Sequence, residues 1–115
     1  MKEKILKTNE MDWQPHPQVK GLKIIEMLSR RNDQAELTCA LVKTAVGVVT
    51  ERHVHENSED IFYIIRGKGK LFLEGVGEVI LEPGVFVRVP PNTFHGLYDV
   101  EEELLALDVW YPALV

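Results

Sequence analysis

The chain is predicted to be an all-β protein, a small double-sheet barrel of short antiparallel strands. Three observations predict this. From Lys20 onward, short apolar runs alternate with turn signals, the pattern of a sandwich or barrel. No segment carries a helical stripe of apolar residues. Glycine and proline punctuate the runs at Gly67, Gly69, Gly75, Gly77, Pro83-Gly84 and Pro90-Pro91, where turns need their backbone geometry. At 115 residues the chain fits one domain around one hydrophobic core.

The elements follow in order. Residues 1–19 form an N-terminal arm, extended because Pro15 and Pro17 interrupt any regular element. Its Trp13 has two places to pack, a partner subunit or the chain's own barrel end. Residues 20–115 make the single barrel domain. Residues 23–28 (KIIEML) form the first strand and 29–34 (SRRNDQ) a polar turn. Residues 36–44 form the next strand, with Leu37, Cys39 and Leu41 on one face, and 48–55 another. Residues 61–65 (IFYII) are the most apolar run, so a strand buried on both faces is expected. Gly67-Lys68-Gly69 reads as a tight turn. Residues 71–73 and 79–81 pair as a hairpin, and 85–89 alternate valines with an outward Arg88. Residues 93–99 and 104–111 complete the set, with Glu101-Glu102-Glu103 as a charged turn.

Charge and composition exclude several function classes. The net charge is −5 and no Lys/Arg cluster forms a nucleic-acid footprint. Arg30-Arg31 is explained by a turn. The single cysteine, Cys39, excludes an internal disulfide and fits a reducing compartment. The N-terminal residues lack the apolar core of a signal peptide. The apolar run 40–49 is broken by Lys43 and is too short to span a bilayer. A cytoplasmic protein is expected.

One constellation carries chemistry. His53 and His55 are two apart, so on a strand they share a face, with Cα atoms about 7 Å apart. Asp60 follows shortly, and His95 arrives on a later strand. Three neutral nitrogen donors and one oxygen donor suit borderline divalent ions such as manganese, iron, nickel or zinc. The alternative is a set of solvated surface residues. Parity places Asp60 with Phe62 and Ile64, and Glu59 with Ile61 and Tyr63, which favours Asp60 as the acid. His16, in the arm, reads as solvated. Phe62, Phe86, Phe94 and Tyr98 are core residues or pocket lining.

The residues resemble a known family at this point. Gly47-VVTER-His53-Val-His55-ENSE-Asp60-IFYIIR-Gly67 is similar to the first motif of the cupins. Gly84-VFVRV-Pro90-Pro91-Asn92-Thr93-Phe94-His95-Gly96-Leu97-Tyr98-Asp99 is similar to the second. Asn92 stands where the family has glycine, a substitution that left-handed backbone tolerates. Asp60 stands where the family has glutamate, and Asp99 where it has asparagine. The resemblance implies a small double-stranded β-helix, or jelly roll, and metal ligation by His53, His55, Asp60 and His95. It implies dioxygenases, decarboxylases and isomerases as well as non-catalytic sugar- or small-ligand-binding modules, and fold alone does not choose. The expected activity is a metal-dependent oxidoreductase of dioxygenase type on a small polar molecule. The alternative is a small-ligand binding or sensing module with a structural metal. A homodimer is expected, contacting through the arm with Trp13 and through Trp110-Tyr111-Pro112.

Overall fold

The computed structural model describes residues 2–115. A 3-10 turn, Thr8–Glu10, precedes β1 (Gln14–Pro15) and β2 (Leu22–Leu28). One helical turn, α1 (Arg30–Asp33), leads to β3 (Thr38–Thr44), then β4 (Glu59–Leu73), β5 (Gly77–Leu81), β6 (Phe86–Val89) and β7 (His95–Tyr111). Neighbours run β1-β2-β3-β7-β4-β5, with β6 on β4, and every pairing is antiparallel. β4 and β7 are long and bent, so each serves two sheets. The first half of β4 lies between β6 and the end of β7, and its second half between β5 and the start of β7. The result is a jelly-roll barrel. Its core is Phe62, Ile64, Leu71, Leu81, Val87, Val89, Val100, Leu104 and Ala106.

Several local expectations are corrected. Gly67-Lys68-Gly69 is not a turn but the bend of β4, where the register with β7 shifts three times between Ile64 and Lys70. Gly67 has φ +101°, and a Cβ there would collide with the Glu103 carbonyl oxygen. Only glycine lets the two backbones approach so closely. Glu101-Glu102-Glu103 is strand, because Lys68 and Arg66 on β4 face Glu101 and Glu103 at 3.7 and 3.8 Å, and opposite charges across a ladder support pairing. Residues 61–65 are buried on one face only, with Tyr63 and Ile65 exposed. The turn after β2 holds α1, capped because the Ser29 hydroxyl accepts from Asn32 N–H at 3.0 Å while Asp33 accepts from Ser29 N–H at 3.0 Å. Ser29 is fully buried. Ser29→Ala is therefore expected to lower stability by about 1 kcal/mol, read as a shift in the urea midpoint.

The N-terminal segment lies over the outer face of β2 and β3. Lys43 on that face sits with its Nζ 4.3 Å from the centre of the Trp13 ring. Ile25 on the same face is 2% exposed, and Lys4 pairs with Asp33 at 2.8 Å. No helix among the described residues is long and apolar enough to cross a membrane.

Candidate metal centre

Residues 48–55 are not a ladder strand. At Thr50 the backbone N–H donates to Leu97 O, but the Leu97 N–H is taken by the Thr50 hydroxyl at 2.8 Å instead of a backbone carbonyl. That substitution breaks the ladder pattern. The segment still runs along β7, because a Cβ at Gly96 would stand only 2.9 Å from Thr50 O. Its one bridge joins His53 to His95, each N–H donating to the other's carbonyl at 3.0 Å. The bridge sets the two imidazoles side by side, with ring centroids 4.2 Å apart. Asn92, with φ +59°, turns the chain just before His95, and its N–H donates to His55 O at 3.0 Å.

The ring nitrogens are sorted by these contacts. His53 Nδ1 lies 2.9 Å from Glu51 O, and His95 Nδ1 lies 2.9 Å from Thr93 O. A carbonyl only accepts, so each Nδ1 carries the proton and each Nε2 presents a lone pair. Such second partners fix the rings of metal-binding histidines. One nitrogen from each of His53, His55 and His95 lies within 4.8 Å of the others. Atoms each about 2.1 Å from one ion stand at most about 4.2 Å apart, so small ring rotations suffice. His95 Nε2 is buried with no hydrogen-bond partner, which fits a group meant to bind something.

Asp60 is not within that triad but stands directly behind it, with Oδ2 3.6 Å from His95 Nε2 and Oδ1 unpartnered. Glu59 points outward and pairs with Arg88 at 2.9 Å. Burial opposes charge on both Asp60 and His95, yet hydrogen bonding wins: Asp108 first and His95 second hold the Asp60 carboxyl below its ordinary range, and Asp60 raises His95. Burial lowers His55.

The triad faces a cavity of about 990 Å³ inside the barrel, at the upper end for small-molecule pockets. Of four further residues on its wall, Glu26 and Asp108 escaped the sequence reading, while His16 reads there as solvated and Trp110 as a subunit contact. His16 lines it, and its Nδ1 accepts from Gln18 N–H and Val19 N–H at 3.0 and 3.1 Å, a local turn that sets this part of the Pro-rich arm on the cavity wall. Glu26 and Trp110 also line it. Asp108 is the most telling. It lies on β7 opposite Ala40 and Phe62 and is buried, with Oδ1 unpartnered. Burial and the adjoining Asp60 carboxyl push Asp108 well above the ordinary carboxylate range. Parity was the available signal, since Asp108 shares its face with Leu104 and Ala106. Of the candidate pocket aromatics only Phe62 reaches this cavity. Phe86 and Phe94 are exposed, and the Tyr98 hydroxyl donates to Glu78 at 2.8 Å.

Comparisons with known proteins agree with this fold. Residues 40–110 match the sequence model of the family described as Cupin domain. No curated protein sequence matches the chain. KdgF from Halomonas sp. superposes with a TM-score of 0.80 at 28% identity, over 95% of this chain and 94% of that one. A predicted oxalate decarboxylase from Thermotoga maritima gives 0.82 at 20% identity, over 95% and 99%. An RmlC-like cupin from Shewanella frigidimarina gives 0.81 at 20% identity, over 98% and 94%. The two at 20% identity show the fold alone.

Proposed function

The chain belongs to the cupin domain family, and from that premise we propose that it is a metal-dependent enzyme acting on a small polar molecule held in the barrel cavity. The observation that carries this reading is the convergence of His53, His55 and His95, two of them with Nδ1 committed to a backbone carbonyl. These three would hold the ion through nitrogen. Asp60 would complete the set, its Oδ2 being 3.6 Å from His95 Nε2, a separation two ligands of one ion can share. This donor set suits manganese, iron, nickel or zinc. When bound, such an ion supplies a Lewis acid that polarises a carbonyl or carboxylate.

The chain's own residues supply the rest. Asp108 keeps its carboxyl proton because two buried adjoining carboxylates do not both ionise. Asp60, stabilised as the anion by Asp108, then His95 and His55, would accept a hydrogen bond from that proton. A neutral acid on the cavity wall can give a proton to one substrate atom and take one from another. Proton transfer of isomerase or decarboxylase type is thus the reaction class proposed. The donor set by itself favours a second reading, a dioxygenase-type oxidoreductase, since it suits iron as well. The same reading carries a cytoplasmic homodimer as the working unit.

Metal analysis of purified protein tests the site. One ion per chain in the wild type, lost in His53→Ala, is expected; equal traces in both would remove the proposal. Deuterium uptake from heavy water into hydroxy and keto acids, with no oxygen consumption, supports proton transfer. Oxygen uptake with diketones, catechols or thiols on iron-loaded protein supports the dioxygenase. Tight binding of one small ligand without turnover would instead assign a binding module.

A further inference from the structure

One carboxylate on the cavity wall has no part in the chemistry above. Glu26 lines the cavity together with Leu22 and Ile24 of the same β2 face. Register sets it in a single row across the sheet: Glu26 pairs with Ala40, Ala40 with Asp108, and Asp108 with Phe62. Glu26 thus stands two strands from Asp108, roughly 9.5 Å between backbones, and Ala40 between them carries only a methyl group. Three features hold the side chain. β2 takes an extra residue at Met27, so that Glu26 pairs with Ala40 but Leu28 with Cys39, and such bulges re-aim the side chains beside them. Asn32 Nδ2 donates to Glu26 Oε2 at 2.9 Å, and Arg31 Nη2 to Oε1 at 3.3 Å. Both donors belong to α1, whose turn is fixed by the Ser29 and Asp33 capping bonds. The Arg31 side chain is 67% exposed and that of Glu26 25%. An ion pair this open adds little stability, so stability does not account for an acid on this wall.

We propose that Glu26 is a substrate-specificity residue, whose carboxylate receives a hydroxyl or ammonium group on the part of the substrate remote from the metal centre. The proposal rests on the metal-dependent reading of the cavity and names what the substrate carries at its far end. A carboxylate only accepts hydrogen bonds, and it has about four places for them. α1 fills two, and the others are open to a ligand. The group received there must therefore be a donor. A second carboxylate or a phosphate is turned away by like charge. A carbonyl or carboxylate at the ion and a donor at Glu26 together define the substrate class: a small acid or carbonyl compound bearing a hydroxyl or an amine several bonds away.

Titration of zinc-loaded protein with 5-hydroxypentanoate, 5-aminopentanoate and hexanoate tests this. The three probes share a carboxylate for the ion and differ only at the far end. Glu26→Met keeps the length of the side chain and removes the acceptor. For one donor-ended probe, the affinity relative to hexanoate is expected to fall about 10-fold or more from wild type to Glu26→Met, the worth of a hydrogen bond to a charged group. Which probe responds tells hydroxyl from ammonium. Zinc content and hexanoate affinity are expected to be the same in both proteins. A wild type that retains no zinc defeats the metal-centre reading and this proposal together. A zinc-loaded wild type that binds none of the three probes, or ratios that are equal in wild type and Glu26→Met, defeats only the role of Glu26. Should Glu26→Met fail to fold, the shorter Glu26→Thr, suited to a strand, withdraws the acceptor and decides.

Discussion

Truncating His95 to alanine is expected to weaken metal binding by at least about 100-fold, because loss of even an outer partner of a ligand costs 10–100-fold. The variant should still fold. The bridge that places His95 is made by backbone atoms of His53 and His95, which the substitution leaves in place. The readout is therefore thermal rather than catalytic. An ion present at 100 times its dissociation constant adds about 2.7 kcal/mol to the native state. For a domain of this size that is roughly 10 °C in the melting temperature. The wild type should gain that increment on adding metal and lose it to chelator. His95→Ala should gain almost none. Binding also competes with protons, since each ligating imidazole must be neutral. His95, raised by its contact with Asp60, takes a proton before His55, which burial lowers, as pH falls. The metal-dependent increment should shrink below pH ~6.5. An increment that survives in His95→Ala, or that is unchanged at acid pH, would place the ion elsewhere.

How much of this was legible in the sequence depends on what each residue's neighbours do. The strands were readable because one face of a sheet is buried and alternation records it. His53, His55 and His95 were readable through their spacing within two motifs. The bend at Gly67 was not, because a glycine pair looks the same whether the chain reverses or only needs another backbone close by. The acids at 101–103 were not, because the residues that make them strand, Arg66 and Lys68, lie on another strand. The apolar run 61–65 misled for a similar reason. Its outward side chains resemble core residues, yet in the single chain they face solvent. Asp60 and Glu59 were separable by parity, and the structure turns them to opposite faces of β4. Asp108 went unread although the same parity applied. A lone carboxylate in an apolar strand looks like an outward charge until its face is counted.

Asp108→Asn is expected to raise the stability of the metal-free protein at neutral pH and to flatten its pH dependence. The folded state holds the Asp108 proton well above the pKa of the unfolded chain, near 3.9. Between the unfolded and folded values, folding takes up a proton. Stability therefore falls as pH rises through that window, at about 1.4 kcal/mol per pH unit. Asp60 acts in the opposite sense. Its folded pKa is lowered, so its contribution is present above its unfolded value and is lost as pH falls through the folded one. The two windows lie on either side of pH ~4, which lets them be told apart. The Asn amide can still donate to Asp60 but has no proton to lose. Denaturation midpoints in chelator should be nearly equal for wild type and variant near pH 4 and diverge above it, with two units of titration worth about 2.7 kcal/mol. Asp108→Leu removes the donor and should instead lose about 1–3 kcal/mol, because Asp60 is left buried with one partner fewer. Parallel profiles for wild type and Asn would mean that Asp108 is ionised in the fold. An ionised Asp108 has no proton to give, and the acid–base chemistry proposed for the cavity would lose its donor. If the profiles diverge as expected, the Asn variant should bind metal nearly as well as the wild type. Its turnover should fall by roughly 10²–10⁴, the contribution of a positioned proton donor, because it keeps the hydrogen bond to Asp60 and gives up only the transferable proton.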